Sequence, residues 1–163
     1  MITPLFDVET IIGYLHHLKP EIGSLRLQQG LYFLFAYYGA LYGQEARDGV
    51  FERSVDAPPY LFDATFEAWQ YGPIIKEVWF NDKQEEYYND SNMISEAISK
   101  VSSQPEIQMF IDELFDQINS INVLKLIDRS HMDESWKKAY RQGRATKMDN
   151  DAIIAEYIEN ICN

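Results

Sequence analysis

Apolar residues recur at helical spacing along most of the chain. Ile11, Ile12, Leu15 and Leu18 form one stripe of a helix predicted from Val8 to about Leu18, with Asp7 placed to cap it. Pro20 and Gly23 break the pattern. Ser24 can then cap a second helix, roughly Leu25 to Tyr42, which Gly43 is placed to end. From Leu31 onward its apolar residues occupy nearly every face, so this helix is predicted to run through the middle of the domain. Pro105 opens the cleanest later segment, Pro105 to Ile121. There Ile107, Phe110, Ile111, Leu114, Phe115, Ile118 and Ile121 repeat with helical period against acidic residues on the other face.

Shorter helices are predicted over Asn92 to Val101 and from Asn122 through Ile127. A last one starts at Asp149 or Asn150 and is buried through Ile153, Ile154, Tyr157, Ile158 and Ile161. Two stretches read differently. Gly43 to Pro59 is a mixed polar connection, compatible with a short strand at Gly49 to Arg53 pairing with Thr65 to Trp69. Gly72-Pro73 marks a turn, with Pro73 suited to the first turn of a helix carrying Ile74, Ile75, Val78 and Trp79. Asn81 to Asn92, with Glu85-Glu86, reads as an exposed connection of solvated charge. No repeat or linker interrupts the chain. The expectation is a mainly α, compact single domain over residues 1–163, with room for a short β-hairpin.

Composition narrows the function. The chain has 163 residues, 26 acidic against 14 basic side chains and a formal charge of -12, which disfavours a broad nucleic-acid surface. A hydrophobic share of 46% argues for a packed domain rather than an acidic disordered one. Cys162 is the one cysteine, so no disulfide can form within the chain, and a reducing, cytoplasmic setting is expected. The most apolar window, Leu31 to Leu41, is far shorter than the roughly 20 residues that span a bilayer.

Candidate chemistry is sparse. His16 and His17 are adjacent, so on a helix they point about 100° apart and cannot make a same-face metal pair. Glu9, Asp63 and Glu67 are acids whose convergence the sequence does not establish. His131 lies in Arg129-Ser130-His131-Met132-Asp133-Glu134-Ser135-Trp136, where a histidine followed by acids can hold a proton. Yet Ser130 and Ser135 serve equally well as caps, with Trp136 as an anchor. No phosphate-binding glycine loop or zinc spacing occurs. Lys137, Lys138, Arg141, Arg144 and Lys147 form the strongest basic cluster, compatible with a solvated helix face, an acidic partner or nucleic acid.

Three segments resemble one family. Leu25-Arg26-Leu27-Gln28-Gln29-Gly30-Leu31-Tyr32-Phe33 is similar to the early leucine-glutamine-tyrosine pattern of Panacea-domain, or SocA-like, antitoxins. Phe66-Glu67-Ala68-Trp69-Gln70-Tyr71-Gly72-Pro73-Ile74-Ile75 resembles their central motif, and Ser130 to Trp136 resembles their late histidine, acid and tryptophan segment. Gln29, Gly30, Ser130, Met132 and Ser135 depart from the usual residues. The resemblance implies a helical domain that neutralises a cognate protein toxin by direct contact, without a cofactor, metal or catalytic residue. A phage- or prophage-derived inhibitor of a host defence protein, or a proteolytic adaptor, is the alternative, and a small hydrolase using His131 is the different class. Trp69, Tyr71, Gly72, Pro73, His131 and Trp136 are the expected protein-binding residues, and the acidity suits a partner with a basic surface.

Overall fold

A computed structural model describes residues 3–43, 58–82 and 90–162. Among these residues eight α-helices and three very short strands follow one another: α1 Val8–Leu18, α2 Ser24–Tyr38, β1 Glu67–Trp69, β2 Gly72–Ile74, α3 Lys76–Asp82, α4 Ser91–Ser102, α5 Pro105–Asn119, α6 Val123–Ser130, α7 Glu134–Gln142, β3 Thr146–Lys147 and α8 Asn150–Cys162. These residues build a compact, mainly helical domain with a small sheet in the order β2-β1-β3.

The apolar run in α2 has the consequence its pattern predicts. Leu27 to Ala36 are buried without interruption, and α1, α3, α5, α6, α8 and β2 all pack on this one helix. Gly30 admits that crowding: a Cβ there would lie 3.3 Å from the Phe115 ring of α5. Aromatic rings fill the space between α2 and the chain before β1, with Phe35 and Phe66 centroids 5.3 Å apart and Tyr32 and Phe66 at 5.5 Å, both edge-on.

Several boundaries differ from the sequence expectation, each for a local reason. The second helix leaves α geometry after Tyr38 and continues as a π turn over Gly39–Gly43. Ser24 does not cap it; its hydroxyl donates instead to Asp82 of α3. Pro73 sits inside β2, opposite Ala68, rather than in a first helical turn. The helix starts only at Lys76, where Ile75 O accepts from Trp79 N–H at 3.0 Å, and the Gln28 amide holds Ile75 in place, accepting from its N–H at 2.9 Å and donating to its carbonyl at 3.3 Å. β1 pairs with β2 and β3, whereas Gly49 to Arg53, the expected partner, lies outside the described residues, as does Glu85-Glu86. Helix α7 escaped the periodicity because only Trp136 and Ala139 of its nine residues are buried. Asn122 caps α6 as expected, accepting from Leu124 N–H at 2.8 Å. No helix among the described residues is long and apolar enough to cross a membrane.

Candidate functional site

The β1–β2 hairpin pairs Trp69 with Gly72 and leaves Gln70 and Tyr71 at its tip. Each carbonyl from Trp69 to Tyr71 accepts a side-chain donor from elsewhere in the chain. Trp136 Nε1 donates to Trp69 O at 3.0 Å, His131 Nε2 meets Gln70 O at 2.8 Å, and Gln29 Nε2 donates to Tyr71 O at 2.9 Å. A carbonyl can only accept, so His131 carries its proton on Nε2. The three resembling segments therefore meet at a single turn: the early one through Gln29, the central one as the hairpin itself, and the late one through His131 and Trp136.

Gly72 is required there for two reasons. Its φ of +96° lies in the region that side-chain-bearing residues avoid, and a Cβ would fall 2.5 Å from Ser130 Oγ and 2.8 Å from Gln29 Nε2. Pro73 is buried in the strand behind it. His131 and Trp136 stack at 4.2 Å, and Tyr140 stacks on the other side of the series, 4.6 Å from Trp136. His131 and Trp136 are thus committed to bracing the turn. Gln70 and Tyr71 are the most exposed of these residues, with Trp69 and His131 half-buried beside them; Tyr71 is 38% exposed. Tyr71 stacks on Trp79 at 6.1 Å, and Trp69 meets Trp79 edge-on at 5.9 Å while its indole donates to Glu67. Trp69, Gln70 and Tyr71 form one wall of a cleft of about 290 Å³ that Arg144 and Ala145 close.

The late segment does not assemble a hydrolytic triad. Ser130 Oγ donates to Ile127 O at 2.8 Å, and His131 faces Gln70. Asp133, 2% exposed, collects Tyr32 Oη at 2.5 Å and Tyr157 Oη at 2.6 Å on one oxygen, and Arg129 Nη1 at 2.7 Å on the other. Burial, reinforced by the neighbouring carboxylate and the other phenol, pushes Tyr32 well above its ordinary titration range. Tyr157 is raised by burial and then by Asp133, with Arg129 acting in the opposite sense. Because Asp133 points inward, the N-terminus of α7 is capped from α8: Glu156 accepts from Glu134 N–H at 2.7 Å and Ser135 N–H at 2.9 Å.

Of the other histidine and acid candidates, Glu67 joins this site as the acceptor of the Trp69 indole. His16 is buried with Asp82 at 4.0 Å, and burial lowers its affinity for a proton. Among the described residues no cluster of His, Cys, Asp and Glu has the arrangement of a metal site. In the basic cluster, Lys137 and Arg141 lie 3.6 and 3.9 Å from Glu134. A second concavity of about 250 Å³ runs between α2 and α5 and is mostly apolar, lined by residues such as Tyr37, Leu114 and Ile121.

Sequence reasoning missed Gln28 and Gln29 as the groups that fix the turn. The signal was available: two adjacent amides in the most apolar helix of the chain must find buried partners. Arg144 stood out only as part of the basic cluster, with nothing to link it to the hairpin, and Ala145 left no signal. In comparisons with known proteins, the chain matches no family model, and no curated protein or solved structure matches it significantly.

Proposed function

We propose that the chain is a binding protein that neutralises a toxin by direct contact, using the face formed by the hairpin tip. The observation that supports this reading is the division of labour at the turn. Gln29 from the early segment and His131 and Trp136 from the late one hold the backbone carbonyls of Trp69, Gln70 and Tyr71, while Gln70 and Tyr71 face solvent beside a cleft. A rigid tip carrying exposed aromatic area loses little conformational entropy on association, which is what an interface anchor needs. The same three segments carry the resemblance to Panacea-domain antitoxins. The net charge of -12 adds long-range selection, favouring encounter with a basic partner surface.

The test is capture of partners from the native cell with the tagged full chain, followed by co-expression with each recovered protein. Relief of that protein's toxicity by the wild-type chain, and its loss in folded Tyr71→Ala and Trp69→Ala variants, is the expected result. Undiminished capture and protection by both folded variants would overturn the assignment of this face.

A further inference from the structure

The cleft beside the hairpin tip has a charge that rings alone do not explain. We infer that it is an anchor site for an acidic residue next to an apolar one, presented by an exposed segment of a partner protein, with Arg144 selecting the carboxylate. This inference takes its class of partner from the recognition reading above. Its size, about 290 Å³, is at the small end for cofactor pockets and suits one or two side chains. Trp69 and Tyr71 supply apolar wall, and Gln70 supplies an amide that can donate or accept.

Arg144 is the cation of the basic cluster that lines this cleft. Lys137 and Arg141 turn to Glu134, whereas Arg144, like Lys138 and Lys147, has no carboxylate partner among the described residues, in a chain with 26 acidic side chains. Its guanidinium offers a planar fork that matches a carboxylate with two parallel bonds, which a lysine cannot do. The backbone that presents it is held in place. Ala145 has a φ of 62°, the one side-chain-bearing residue in the left-handed region among those described. Its N–H donates to Ala68 O at 2.9 Å, and Thr146 Oγ1 donates to Gly143 O at 2.7 Å. A conformation that alanine adopts reluctantly is thus pinned to the central strand, directly beside the cleft. A nucleic acid is the less suitable anion, because the phosphate backbone must approach a chain of net charge -12 and two cations of the cluster are already turned to Glu134.

The experiment is a titration of the ¹⁵N-labelled full chain with acetyl-Phe-Glu-amide, acetyl-Phe-Gln-amide and a short oligothymidylate, followed by NMR. The acidic peptide is expected to shift the Trp69 indole signal and the amides of Gln70, Tyr71 and Ala145 saturably. Replacing its Glu by Gln, or using Arg144→Gln, is expected to weaken binding about tenfold, the loss of one charge-assisted pair. No saturable shift with the acidic peptide, equal binding by Arg144→Gln, or tighter binding of oligothymidylate would each overturn the inference. The titration needs no natural partner, so failure to recover one counts against the recognition reading alone. A recovered partner that wild type and Arg144→Gln capture equally counts against the anchor site alone.

Discussion

At the hairpin tip, Gln29 of α2, Trp136 of α7 and His131 of the corner between α6 and α7 hold backbone carbonyls near the surface. A few residues away, at Asp133, the acceptor is a buried carboxylate and the donors are two phenols and a guanidinium. Both regions are served by the same corner between α6 and α7. Ser130, His131 and Trp136 face the tip, while Asp133 faces the core and is met by Arg129 from a partly exposed position. A segment that reads as candidate catalytic chemistry is therefore a joint with two faces. The comparison teaches that one face holds a shape and the other closes a charge, and the two should fail in different ways.

The largest effect is expected at the charged face. Asp133→Ala leaves the hydroxyls of Tyr32 and Tyr157 buried without their acceptor and should cost roughly 3–5 kcal/mol. Arg129 is partly exposed and can rehydrate, so it adds little to that figure. Urea unfolding measures the loss, and a cost below about 1 kcal/mol would show that water replaces the carboxylate. The tip should keep its hydrogen bonds in whatever fraction remains folded.

Alkaline pH probes the same node without a mutation. Tyr32 and Tyr157 titrate near 10 in the unfolded chain and well above it when folded. Between those values the native state holds more protons, so stability is complete below pH 10 and falls as pH rises. Each phenol contributes about 1.4 kcal/mol per pH unit, or roughly 2–3 kcal/mol for both at pH 11. Tyr14, raised to about 12 by burial and by its hydrogen bond to Asp112, adds a third phenol to the wild-type difference. Unfolding midpoints at pH 9 and 11 should therefore converge in Tyr157→Phe by about a third of that difference; an unchanged difference would remove this phenol from the account.

The shape-holding face should respond less in stability and more in recognition. Gly72→Ala adds a disfavoured φ and displaces Ser130 Oγ and Gln29 Nε2, at a combined cost of about 2 kcal/mol. Its signature is the loss of the slow exchange expected for the Gln29 side-chain N–H bonded to Tyr71 O, with the Asp133 node unaffected. Equal disturbance of both regions would mean that the corner is one unit rather than two faces.

Much of the helical framework was legible because it depends on period. α1, α2, α5 and α8 each carry a repeated apolar stripe, and the continuous one in α2 foretold its central position. What the period does not encode is short or polar. β3 has two residues, α7 buries two of nine, and the pairing of β1 with Thr146–Lys147 joins segments nearly eighty residues apart. The meeting of Trp69, His131 and Trp136 was approachable from the motifs, but their roles were not. Only the direction of each N–H reveals that His131 and Trp136 hold the turn from behind while Tyr71 faces outward.

The smallest predicted effect has the opposite sign and separates stability from recognition. Ala145 occupies a left-handed conformation that costs a side-chain-bearing residue about 1–2 kcal/mol. Glycine would remove that strain but would lose roughly 0.5–1 kcal/mol through the greater freedom of its unfolded chain. Ala145→Gly should therefore stabilise the domain slightly, by about 0.5 kcal/mol, visible as a small rise in urea midpoint. If the strained residue serves to fix the backbone beneath Arg144, the same variant should bind acetyl-Phe-Glu-amide less tightly despite being more stable. A gain in both stability and binding would mean that alanine at this position holds nothing that the cleft uses.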